Sequence, residues 1–197
     1  MLKRDLKLML KGTAAIVAAI GLAGAASLNG ALAATDGTLG GTSTGTSSLT
    51  VNVPLRALIT GVADLDFTSE LTTWNGADDV VLTDSVCVFT SGGTYEVTAS
   101  GSGTASAFTV TDGSTLVSYT VQWDDAAGAS SGTALTTGVQ SSANFAGTST
   151  LSDCTPTPTN NATFIVTMNG DGGTNDLASA TTGVNYTGTL TLLVTPE

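Results

Sequence analysis

The chain has 197 residues, with 16 Asp and Glu against 5 Lys and Arg, no His, and a formal net charge of −11. Without an imidazole there is no side chain titrating unperturbed near neutral pH, which excludes Ser-His-Asp and Cys-His nucleophilic catalysis and the common imidazole metal sites. Four of the five cations stand at Lys3, Arg4, Lys7 and Lys11, so beyond Ala33 only Arg56 faces 15 carboxylates, a field that repels polyanions and argues against nucleic acid as a partner.

The first 33 residues read as a secretory signal peptide. A basic start to Lys11 is followed by a small-residue apolar run from Thr13 to Ala26, and Ala31-Leu32-Ala33 supplies the small-x-small cleavage site. Nothing later approaches a spanning helix, so the mature chain is expected to be exported and to carry no transmembrane anchor of its own. Residues 34–48, almost all Gly, Ser and Thr with Leu39 as the one large apolar residue, predict a flexible leader. Residues 49–197 then form one domain.

Period-two alternation runs through that domain. Leu49, Val51, Val53 and Leu55 alternate; so do Tyr95, Val97 and Ala99; Val117, Tyr119, Val121 and Trp123; and Tyr186, Gly188, Leu190, Leu192 and Val194. Shorter candidates are Ala57 to Val62, Ser85 to Phe89, Ala107 to Thr111 and Ala162 to Met168. Turn residues separate them at Ser91-Gly92-Gly93, Ser100-Gly101-Ser102-Gly103, Asp112-Gly113 and Asn169-Gly170-Asp171-Gly172-Gly173. Residues 126–152 predict a long loop bearing one weak strand. The fold class is all-β, a two-sheet antiparallel sandwich or a barrel. Cys87 and Cys154 are the only cysteines; with no CxxC spacing and no nearby cation, they are expected to form a structural disulfide in an oxidising compartment.

Few groups are left for chemistry. Glu70 and Glu96 are the only imaginable acid and nucleophile of a glycosidase, but Glu96 falls on the strand face opposite Tyr95 and Val97, and a solvated role is expected for both. Asn169, Asp171, Asn175 and Asp176 offer Ca²⁺ its preferred oxygens, yet Ala180 stands where an EF-hand needs its bidentate Glu, so the 169–176 loop reads as a polar turn. Asp78-Asp79 and Asp124-Asp125 read as loop charges, Arg56 as one half of an ion pair, and Trp123 as core. Trp74, beside Asn75-Gly76, is the remaining candidate for a glycan contact. No catalytic residue, cofactor or metal site is assigned.

Several short blocks in order resemble the spore-coat-U-like domain family, which includes the pilins of archaic chaperone-usher systems: Ile59-Thr60-Gly61-Val62-Ala63-Asp64-Leu65-Asp66-Phe67, Val86-Cys87-Val88, Tyr95 to Gly101, Leu116 to Tyr119, and Gly183 to Leu192. The resemblance implies an immunoglobulin-like sandwich that lacks one strand. That strand is donated by another subunit during assembly of a surface fibre (pilus or fimbria) or coat, with a periplasmic chaperone and an usher as partners on the way to the cell surface. Leu49, Val51, Val53 and Leu55 are either the donor strand or the domain's own first strand. In the second case the protein is a self-contained secreted module that binds carbohydrate or a surface.

Overall fold

The computed structural model describes residues 35–150, 154, 160–170 and 172–197. The expected signal peptide and its cleavage site lie outside them. Two compact units divide at Asn52 and Val53. In the first, Thr35 and Thr46 exchange backbone hydrogen bonds as an isolated antiparallel bridge, and every described residue is exposed. With so few large apolar side chains, this stretch has nothing from which to build a core.

The second unit is almost entirely β. Strands β1 (Ala57–Thr60), β2 (Val80–Thr90), β8 (Ala162–Met168), β5 (Leu116–Asp124) and β4 (Thr109–Thr111) form one antiparallel sheet in that order, with β6 (Thr133–Ala134) paired to β5. A second antiparallel sheet runs β7 (Phe145–Ala146), β3 (Thr94–Gly101), β9 (Leu190–Pro196). The two form a sandwich. Period-two side chains supply its core: Val117, Tyr119, Val121 and Trp123 from β5, Phe164, Val166 and Met168 from β8, and Tyr95, Val97 and Ala99 from β3. Across the middle, Trp123 Nε1 donates to Tyr95 Oη at 3.0 Å and the rings meet edge to face at 6.2 Å, so each sheet's largest side chain satisfies the other's polar atom. Burial pushes the Tyr95 hydroxyl well above the usual phenol range, and it stays a neutral acceptor for the indole.

β8 and residues 86–90 of β2 are buried on both faces, the outer side of β2 being covered at a disulfide and that of β8 at a hydrogen-bonded threonine. On β2, Val86 and Val88 face the core while Cys87 and Phe89 point away and are covered by Cys154, whose disulfide to Cys87 spans Cα atoms 6.0 Å apart. The expected bridge is present, and no described cysteine is free. Replacing both cysteines by Ser should cost about 2–5 kcal/mol, through the unfolded chain's regained freedom and the uncovered Phe89, read as a lowered urea midpoint. On β8 the outward Thr163 is fully buried because its Oγ1 donates to Ala126 O at 2.8 Å and accepts from Gly128 N at 2.9 Å and Ala129 N at 3.3 Å. Thr163→Val keeps the shape but takes the hydroxyl partner from Ala126 O and Ala129 N, while Gly128 N keeps Ser85 Oγ at 3.0 Å. A loss of about 1–3 kcal/mol is expected in denaturant unfolding, with an unchanged m-value.

The sequence and structure part at several elements. The alternating run from Leu49 to Leu55 forms no strand, for β1 begins only at Ala57. β9 begins at Leu190 rather than Tyr186; ahead of it Thr187 and Thr111 exchange backbone hydrogen bonds, drawing the preceding segment to the edge of β4. Glu70 falls in a single helical turn, α1 (Thr68–Leu71). The long loop before Cys154 carries two short strands instead of one, with Asp125 Oδ2 accepting from Ala146 N at 2.7 Å to hold β7 in place.

Candidate functional site

The second unit carries a groove of about 910 Å³. Its floor is the period-two row Phe164, Val166 and Met168 of β8, with Val117 and Tyr119 of β5 beside it. The register explains the grouping, since Met168 pairs with both Val80 and Tyr119, bringing these strands side by side at one end of the sheet. One rim is the segment Val62 to Thr68, which follows β1 and turns into α1 at its end, held to β2 by Ala63 N donating to Asp84 Oδ2 at 2.8 Å. The other is Ala180 to Leu190, which folds back on itself where Thr181 N donates to Tyr186 Oη at 2.8 Å, and continues into Leu192 of β9.

Each rim is continuous with a strand at the end of its sheet. β9 pairs with β3 along one side, and β1 with β2; among the described residues no strand pairs with the other side of either. The floor is nearly covered, whereas apolar exposure gathers at the rims in Val62 (54%) and Val184 (44%). Among the described residues, the only charged ones lining the groove are Asp64 and Asp66, both on the first rim. Thr68, through its hydroxyl and its backbone N–H, holds the Asp66 carboxyl below the usual carboxylate range, so this rim is anionic at neutral pH. An apolar trough with unpaired strand edges suits an extended polypeptide: edge groups supply hydrogen bonds and the floor receives every second side chain.

Leu49, Val51, Val53 and Leu55, the candidate donor strand, are all exposed, from 93% at Leu49 to 53% at Leu55. They are a row of large apolar residues at strand spacing, largely uncovered at Leu49, Val51 and Val53 and half covered at Leu55. Arg56, expected as an ion-pair partner, is exposed as well. Its backbone N–H donates to Ser91 Oγ at 2.9 Å, its carbonyl accepts from Ser91 N at 2.9 Å, and no hydrogen bond among the described residues uses its guanidinium.

The remaining candidates are structural in their contacts. Trp74 packs against the core and its Nε1 donates to Asp78 O at 2.6 Å, so the indole N–H is committed within the protein. It stands between the groove and a small hollow lined by Glu70, Asn75, Asp78 and Asp79. Glu70 and Glu96 share no site, because Glu96 lies on β3 and is hydrogen-bonded to Gln140. Asp171 lies outside the described residues; Asp176 is buried and caps the turn Leu177–Ser179, its Oδ1 accepting from Ser179 N at 2.8 Å. Among the described residues no group of three or more acidic or Cys side chains is placed to hold a metal ion. Asp79 and Asp124, read as loop charges, accept from Gly170 N and Ala126 N and so pin loops.

The groove was beyond reach of sequence reasoning as a site, though the strands of its floor, β5 and β8, were visible in their side-chain period. Comparison with protein-family models and with curated proteins gives no match for this chain.

Proposed function

We propose that this protein is an exported, non-enzymatic structural subunit of a surface fibre or coat, and that copies assemble when Leu49 to Leu55 of one copy enters the groove of the next as a donated strand. The observation that carries the reading is the pairing of an apolar groove with open strand edges and a seven-residue apolar alternation that has no partner. Four apolar side chains at strand spacing meet a floor built from β8 residues at the same spacing. The resemblance to spore-coat-U-like domains and archaic chaperone-usher pilins supports it. A chaperone and an usher would then keep the groove filled before assembly, and the disulfide fits passage through an oxidising compartment.

Connectivity favours donation between copies. Arg56 alone separates Leu55 from β1, and both of its backbone groups are held by Ser91, leaving no residues for the reversal that would lay the segment back along its own β1.

The direct test uses a synthetic peptide with the sequence of residues 47–56, added to the purified protein. Amide NMR shifts are expected to concentrate on Phe164 to Met168 and Leu190 to Val194. At peptide concentrations a hundred times the dissociation constant, stability should rise by about 2.7 kcal/mol. Perturbations scattered elsewhere, or confined to the hollow beside Trp74, would remove the basis for the proposal.

A further inference from the structure

The charge distribution around the groove addresses a question that strand donation alone leaves open: what holds consecutive copies against each other once the strand is in place. The inference rests on the donated-strand reading above. Arg56 is the only cationic side chain among the described residues, and it follows directly on the last apolar residue of the donor run. Its backbone is fixed to Ser91 at the start of its own β1, so it belongs at once to the donated segment and to the body of the donating copy. With Leu55 inside a neighbour's groove, Arg56 must stand at that groove's mouth, one residue, or roughly 3.3–3.8 Å of chain, farther on.

Among the described residues the groove is lined by two charged ones, Asp64 and Asp66, both carboxylates. Copies of this chain carry a large negative charge everywhere else and repel one another on approach. We propose that Arg56 of one copy pairs with Asp64 and Asp66 on the groove rim of the next, forming the single attractive charge contact at the subunit junction and acting, in place of a flexible linker, as a rigid joint between copies. A guanidinium suits the role, for it can bridge two carboxylates while its aliphatic stem covers the apolar mouth. At an interface that excludes water such a contact sets register and association rate more than it adds affinity.

The experiment compares self-association of the purified protein and three variants by light scattering and analytical ultracentrifugation, at about 20 mM and about 1 M NaCl, where the screening length falls to roughly 3 Å. Arg56→Glu is expected to slow association at least about tenfold at low salt, with the deficit relative to the unaltered protein shrinking toward zero at high salt; Arg56→Lys should retain most of the rate. Mixing Arg56→Glu with Asp64→Arg/Asp66→Arg protein should restore low-salt association between the two. Val51→Asp/Val53→Asp, which alters exposed positions only, separates the two ideas. If it fails to associate at either salt while Arg56→Glu behaves like the unaltered protein, donation stands and the charge pairing is overturned. If it associates normally, donation itself fails. A deficit in Arg56→Glu that persists unchanged at high salt also overturns the pairing.

Discussion

Val51→Asp/Val53→Asp is expected to abolish self-association while leaving the fold of residues 53–197 intact. The two valines are 83% and 74% exposed, so neither substitution removes a core contact, and thermal unfolding of the isolated copy should stay within about 0.5 kcal/mol of the original. In the proposed assembly the same side chains sit over Phe164, Val166 and Met168, where each Asp would lose the burial of a valine, roughly 1.5–3 kcal/mol, and meet the cost of placing a carboxylate in an apolar groove beside Asp64 and Asp66. Two such changes together reach several kcal/mol, a loss of at least about a thousandfold in the association constant. Sedimentation velocity reads the result. Retention of the original assemblies would show that these residues do not enter another copy.

This contrast between a silent change in the single copy and a severe one in the assembly follows from how the Leu49 to Leu55 run is left in the fold. Alternation reports the face a strand would present, not whether a neighbouring strand exists to pair with it. For Leu116 to Asp124 and Ala162 to Met168 the chain supplies neighbours on both sides, and those strands were legible from the side-chain period alone. For Leu49 to Leu55 the described residues supply none, and the same pattern is left exposed outside any strand. The groove was hidden for a related reason. Its walls come from Val62 to Thr68, from β5 and β8, and from Ala180 to Leu192, parts remote in sequence that only the register of Met168 with Val80 and Tyr119 brings together. Thr163 was legible only as one position of the expected strand Ala162 to Met168. Its three backbone partners at Ala126, Gly128 and Ala129 belong to a loop without periodicity, and Asn161 likewise spends its amide on the Val88 N–H and carbonyl.

Trp123→Ala is expected to be the most destabilising single change in the sandwich. The indole is fully buried between sheets, within ring-to-ring distances of 6.2 Å of Tyr95 and 6.4 Å of Phe145, and a cavity there cannot close without moving β5 toward β3. Removal of a buried Trp costs about 3–5 kcal/mol, and the loss of its N–H leaves Tyr95 Oη buried without its donor, adding about 1–3 kcal/mol. For a domain whose net stability is of order 5–15 kcal/mol, that sum reaches the threshold of unfolding. Trp123→Phe separates the two contributions: it restores most of the volume but none of the hydrogen bond. Its cost, measured by urea unfolding, should therefore lie well below that of Ala and approach the value for Tyr95→Phe, which removes the same bond from the other side. A double variant carrying Phe at both positions should cost less than the two single changes added together, because the hydrogen bond can be lost only once. Full additivity would mean that the Trp123–Tyr95 bond does not join the sheets. Strong non-additivity would make that bond the link between the two sheets, at a position where Trp123 stands directly across the β5–β8 ladder from Phe164 of the groove floor.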